Sequence, residues 1–288
     1  MEKDDIGFWI FALDDPELHE FYSKRELGRE KELKKNGRFY YAIYIKQCHR
    51  SFPPDVTQVL HLRDQVILLI EPYLLPIYCR LPLQGYAIIV TEAFSGSEEI
   101  LALLKLTFSY IEPEGIIDTG AINEAQSRCT ELLYNEYCHN YDQWQPSMLR
   151  NLSINMMLLS STIPYELHIR SGHLLNYALQ FMELLDNYAF FEKSKAFYAG
   201  KIGITEKILT QALWAIYNKT FKEILMGRVL IEAMRMLVFE DKSITQIAHD
   251  LDYDASGFNK MFVKWKGMTP KELRVNYRKV VTYVENGY

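Results

Sequence analysis

Residues Ser243–Pro270 read SITQIAHDLDYDASGFNKMFVKWKGMTP. Ser243 is a good N-cap ahead of Ile244, Ile247, Ala248 and Leu251, which recur at helical spacing. The tripeptide DYD interrupts that helix, and Asp254 can cap a second one that carries Phe258, Phe262 and Trp265 on one face. Gly267 can end it in the left-handed conformation. A small Ala248 at the helix crossing followed by a tight turn is what a helix-turn-helix requires. Asp252 stands where such a turn needs positive φ, which glycine supplies best and Asp tolerates.

The same plan occurs 49 positions earlier. YAGKIGITEKILTQALWAIYNKTFKEIL (198–225) aligns with IAHDLDYDASGFNKMFVKWKGMTPKELR (247–274). Ala199 falls on Ala248, Ile202 on Leu251, Leu209 on Phe258 and Leu213 on Phe262, and T-x-K-E recurs at Thr220 and Thr269. Apolar helices could match by chance in the first four positions, but hardly in the T-x-K-E as well. A repeat of this length reads as a duplicated supersecondary unit. In the first copy Gly203 takes the turn and Thr205 the cap. Between the copies, Phe221 to Phe239 contains no proline and reads as one helix, about 28 Å long at 1.5 Å per residue. Two recognition helices near that separation can enter successive major-groove faces, which recur about every 34 Å.

The 288 residues favour two domains, and 49% hydrophobic with 24% charged residues is ordinary for a folded soluble chain. No apolar run reaches the roughly 18 residues of a membrane span, and MEKDDIGFW is too acidic for the start of a signal peptide. The expected location is therefore cytoplasmic, without membrane contact. Cys48, Cys79, Cys129 and Cys138 form no C-x-x-C pair and read as reduced thiols. The net charge of −5 hides an asymmetry. Residues 1–170 hold 16 basic and 24 acidic side chains, whereas 242–280 hold 8 and 4. This pattern suggests an acidic body with an anion-facing end.

The C-terminal stretch resembles the AraC/XylS-type transcriptional regulators over about residues 171–278. The residues that carry the resemblance are S-x-F-x-x-x-F (Ser256, Phe258, Phe262), G-x-T-P (Gly267, Thr269, Pro270) and a closing Arg274. Three positions depart from the family pattern: Asp252 replaces the turn glycine, Val263 a lysine and Leu273 an aromatic residue. The resemblance implies a DNA-binding domain of two helix-turn-helix units, about 195–217 and 243–266, joined by a rigid helix. It also implies the exposed early faces of both recognition helices as the reading surface: Lys207, Thr210 and Gln211 in the first, Ser256, Asn259 and Lys260 in the second. Gln and Asn suit adenine, Lys suits guanine, and Ser and Thr suit several base edges. Lys264, Lys266 and Lys271 would hold phosphates. Each alone is equally well a solvated helix face.

From 38 to 95 the period changes to two. RFYYAIYIK, VTQVLHL, QVILLIE, YLLPIYC and GYAIIVTE read as five strands of a small antiparallel β-barrel or sandwich. Their order is similar to the cupin-type sensor of the same family. The seven histidines include no H-x-H, so His49 and His61 read as structural and no metal or other cofactor is expected. The tyrosines and phenylalanines here either line a pocket for a small organic effector or pack the core. The sequence assigns no ligand-binding residue. GSEE (96–99) reads as a helix start. Helices over about 97–163 carry two stripes: Ile122, Ala125, Cys129, Leu132 and Glu136, then Leu149, Leu152, Met156, Leu159 and Ile163. They either pack on the barrel or form a homodimer seam.

The expected fold is thus α+β in two domains. Residues 1–165 form a sensor and dimerisation domain with a cupin-like β-barrel, and 171–288 an all-α pair of helix-turn-helix units on double-stranded promoter DNA. No catalytic constellation is present, so the expectation is not an enzyme. Two readings stand: a one-component, effector-responsive transcription regulator, or a ligand-independent DNA-binding protein controlled by abundance or by a protein partner.

Overall fold

In a computed structural model the chain divides into two compact units, one of residues 1–108, 115–162 and 284–288 and the other of 109–114 and 163–283. The structure describes residues 7–18, 20–21, 38–48, 52–53, 56–57, 60–96, 101–102, 104–105, 116–139, 144–160 and 172–285.

The N-terminal unit is built on a five-stranded antiparallel sheet: β1 (Phe8–Ala12), β2 (Phe39–Cys48), β3 (Val66–Ile70), β4 (Leu83–Thr91) and β5 (Ile116–Ala121). Their order is β1-β4-β2-β3-β5. Register follows from alternation, since Tyr44↔Tyr86 and Ala42↔Ile88 put alternate residues on one face. Helix α1 (Glu124–Cys138) covers that face. Its Ser127 hydroxyl lies 2.9 Å from Tyr44 Oη, its Glu131 accepts from Lys46 Nζ at 2.6 Å, and Tyr134 stacks on Tyr86 at 4.5 Å. The other face holds Trp9, whose ring lies 5.2 Å from that of Phe21 and 6.1 Å from that of Phe39. Burial from both sides explains why β3 reads VILLI without alternation, every residue of it buried.

Three of the five expected strands are present, as β2, β3 and β4. Two are not strands. In YLLPIYC the chain instead forms a 3-10 turn, Pro72–Leu74, continued by the α-turn Leu75–Tyr78. Pro72 and Pro76 cannot donate to a ladder, yet their missing N–H groups cost nothing in a first helical turn. In VTQVLHL the described residues Val56, Thr57 and Leu60 are helical. The sheet regains its five strands from both sides of the expected region. β1 (FWIFA) lies N-terminal to that region and β5 beyond it in IIDTGA, a segment too short and too polar to stand out. The expected helix start at 96–99 lies, beyond Gly96, outside the described residues.

α2 (Gln145–Ser160) packs on α1, where the Cys129 thiol donates to the Leu152 carbonyl at 3.4 Å. The heptad stripe on α1 does not stay together: Cys129 is buried, but Ala125 and Leu132 are exposed. The buried face runs instead through Gln126, Cys129, Thr130, Leu133 and Tyr137. On α2, Leu149 and Met156 are buried; the Leu159 side chain and Ile163 lie outside the described residues. All four cysteines are free, and burial pushes the Cys79 thiol up to about 12.

Among its described residues the second unit has helices and no strand. α3 (Gly172–Tyr188) leads into α4 (Lys195–Ile202) and α5 (Glu206–Tyr217). α6 (Phe221–Phe239) follows as one uninterrupted helix of 19 residues. α7 (Ile244–Asp250), α8 (Ala255–Lys266) and α9 (Pro270–Glu285) complete it. Phe181 of α3 meets Tyr198 and Phe221 at 5.3 and 5.6 Å, forming an aromatic core under the first helix pair. Phe258 and Phe262, 5.6 Å apart and fully buried, are the corresponding core of the second.

Candidate nucleic-acid interface

The duplication extends to individual hydrogen bonds. Ser194 and Ser243, 49 apart, cap the leading helices α4 and α7, accepting from Phe197 N at 3.4 Å and Gln246 N at 3.2 Å. Both leading helices then close alike. Ile204 N donates to Ala199 O, and Tyr253 N to Ala248 O, each at 2.9 Å. These bonds wrap a left-handed residue, Gly203 at φ 78° or Asp252 at φ 59°. Thr205 and Asp254 cap the second helices, accepting from Ile208 N at 3.3 Å and Gly257 N at 2.8 Å. Asn218 and Gly267, again left-handed, end them. Thr220 and Thr269 then start the helices that follow.

Those last two caps are reciprocal. Glu223 Oε2 accepts from Thr220 N and Oγ1, both at 2.7 Å, while Thr220 Oγ1 accepts from Glu223 N at 3.3 Å. Glu272 and Thr269 repeat the box at 2.7, 2.9 and 3.2 Å. Hydrogen bonds from the threonine backbone first, and from its hydroxyl second, hold both carboxyls below the usual carboxylate range. The T-x-K-E recurrence is therefore a pair of capping boxes.

The two second helices bury one stripe and expose the other. On α5, Leu209, Ala212 and Leu213 are fully buried, and Lys207, Thr210 and Gln211 are exposed. On α8, Phe258 and Phe262 are buried, and Ser256, Asn259, Lys260 and Lys264 are exposed. Lys271 is exposed in the first turn of α9, and Lys266 is half-buried in the last turn of α8. The side chains chosen from sequence thus lie on the outward stripes, except for the partial burial of Lys266. Thr210 is also engaged locally: its hydroxyl donates to Glu206 O at 2.8 Å and accepts from Lys195 Nζ at 3.3 Å.

Two features escaped the sequence reading. Trp214 is 56% exposed on α5, one turn beyond Gln211 on the same stripe. Its partner in the repeat is Val263, itself 40% exposed, so the 49-residue offset could have flagged it. Lys195 belongs to α4 yet reaches α5, with its Nζ also 3.3 Å from Glu206 Oε2. Only the tertiary packing of α4 on α5 brings it there.

Among the described residues no group of three or more His, Cys, Asp or Glu could hold a metal ion, and no helix is long and apolar enough to cross a membrane.

Two capped helix pairs, each crossing at a buried alanine and presenting a polar second helix, define a helix-turn-helix domain, a DNA-binding module. Residues 198–276 match the family model described as "Helix-turn-helix domain", and this domain is of the AraC type. Among solved structures the chain is similar to ToxT from Vibrio cholerae in a 1.65 Å structure, at 14% identity and TM-score 0.40 over 82% of this chain and 86% of that one. Unsaturated fatty acid-bound ToxT matches at 12% identity and TM-score 0.40, over the same shares of the two chains. No curated protein matches the chain.

Proposed function

We propose that the chain is a one-component transcription regulator. Its C-terminal unit binds bipartite duplex DNA through α5 and α8, and its N-terminal unit responds to a small organic effector. The observation that carries the DNA reading is the bond-by-bond repeat of the helix-turn-helix frame, with both second helices presenting amide and lysine side chains outward. Lys207 with Gln211 and Lys260 with Asn259 are the base-reading pairs, Ser256 and Thr210 the flanking contacts, and Lys264, Lys266 and Lys271 the phosphate contacts. The separate, acidic N-terminal unit supports a sensing role.

The test is binding of the full chain to a pool of promoter duplexes across a salt series. Log affinity should fall linearly with log salt, by about 0.9 per phosphate neutralised. Undetectable or salt-independent binding removes the proposal. A thermal-shift screen of the full chain against carbohydrates, bile acids and aromatic metabolites tests the effector. If no compound raises the melting temperature, control by abundance or by a protein partner is favoured.

A further inference from the structure

Asp252 occupies the turn position that Gly203 holds in the first unit, and a left-handed turn gains nothing from its side chain. The carboxylate has a partner from the first helix-turn-helix. Lys193, immediately before the cap of α4, donates from Nζ to Asp252 O at 2.9 Å and to Asp252 Oδ2 at 3.1 Å. The same ammonium lies 4.1 Å from the centroid of the Tyr253 ring. Tyr253 in turn donates its hydroxyl to Met226 Sδ on α6 at 3.6 Å. The root of the first unit, the turn of the second and the helix between them therefore meet around one lysine. The repeat breaks here: Lys242, the counterpart of Lys193, pairs with Glu240 and Asp250, both at 2.9 Å, inside its own neighbourhood.

A single connecting helix fixes the distance between two recognition helices but leaves their mutual rotation to short connections at its two ends. A second point of attachment closes the loop and removes that freedom. We propose that Lys193, through Asp252 and Tyr253, is a positioning residue that sets the spacing and rotational phase at which α5 and α8 meet DNA. This rests on the reading of those helices as the DNA-contacting pair. Two linked sites gain affinity only when the link suits their separation, so the brace selects half-site spacing without touching a base.

The experiment is a binding selection with the full chain on duplexes whose two half-sites are separated by spacers of varied length. Wild type should prefer one spacer. Lys193→Ala should keep the same base preferences within each half-site, lose roughly fivefold at the preferred spacer, the low end of usual site–site couplings, and gain on spacers one base pair longer and shorter. Asp252→Gly removes one leg of the brace and gives the turn its favoured residue. It should hold or raise the melting temperature while broadening the spacer profile, which a folding defect would not do. Unchanged spacer profiles in both variants overturn the inference. A wild type that selects no DNA removes the reading beneath it, and this inference with it.

Discussion

Arg274 Nε donates to the carbonyl of Leu237 at 3.0 Å, and its Nη2 to that of Lys242 at 2.8 Å. One guanidinium from α9 thereby satisfies a carbonyl in the last turn of α6 and another in the loop leading to α7. Desolvation does lower its pKa, but an arginine stays charged throughout the working range. Arg274→Ala leaves both carbonyls without this donor, at a cost of about 1.5–3 kcal/mol for charged hydrogen bonds. Arg274→Lys, with a point charge in place of a fork, should recover only part of the loss. Denaturant titration of the two variants against wild type checks this.

Phe262 and Lys264 are two residues apart on α8 and face opposite ways, one fully buried and one exposed. Phe262→Ala should cost about 3–5 kcal/mol and unfold the second unit. Lys264→Ala should leave the melting temperature nearly unchanged and weaken binding to all DNA sequences alike. Parallel thermal melts and binding isotherms separate the two, and identical behaviour would contradict the assigned helix faces.

Glu223 and Glu272 make the helical unit acid-sensitive. Both carboxyls titrate below their ordinary value of 4.5 in the folded chain because their threonine partners bond the charged form. The contribution is therefore complete above the unfolded-state pKa and disappears as pH falls through the folded one. Stability should decline below about pH 4.5. Glu223→Gln together with Glu272→Gln should flatten that decline, because an amide oxygen still accepts from threonine and does not titrate. Melting temperature against pH is the measurement.

Gln211 and Asn259 are the expected adenine readers. Read from sequence alone, Asp252 and Asp254 would repel phosphate and leave discrimination mostly to the first copy. The folded chain weakens that argument, since Asp252 is ion-paired with Lys193 and Asp254 caps its own helix at Gly257 N. Gln211→Ala and Asn259→Ala should therefore each relax one base pair, at a similar cost of about 1–3 kcal/mol. Randomised-site selection on both variants reads this directly; a profile altered by only one of them would restore the asymmetry.

Trp214 gives an optical handle on the same face. Its indole is more than half exposed and should be shielded when α5 meets a duplex. Saturating DNA should protect the wild-type chain from iodide quenching of tryptophan fluorescence. In Trp214→Phe most of that protection should be absent: of the other three tryptophans, Trp9 is already buried, Trp265 is half-buried, and Trp144, although 66% exposed and quenched throughout, lies outside the helix-turn-helix pair.

The sequence alone determined the helical unit almost completely. Caps, left-handed stops and apolar spacing act within a few residues, so Ser243, Thr205, Asp254 and Gly267 announce their own structure, and duplication gives each announcement twice. The sheet was legible in β2, β3 and β4, where a long run or a continuous apolar stretch is bounded by turn residues. Strand pairing is settled by partners far along the chain, so a short run such as FWIFA became β1 only beside β4, and YLLPIYC became helical because its Pro76 and the preceding Pro72 bar it from a ladder. Tertiary structure alone decided which charges meet. Lys193 and Asp252 are 59 residues apart and Arg274 and Leu237 are 37 apart, and no local periodicity encodes a contact that exists only after α6 has set the two helix pairs side by side.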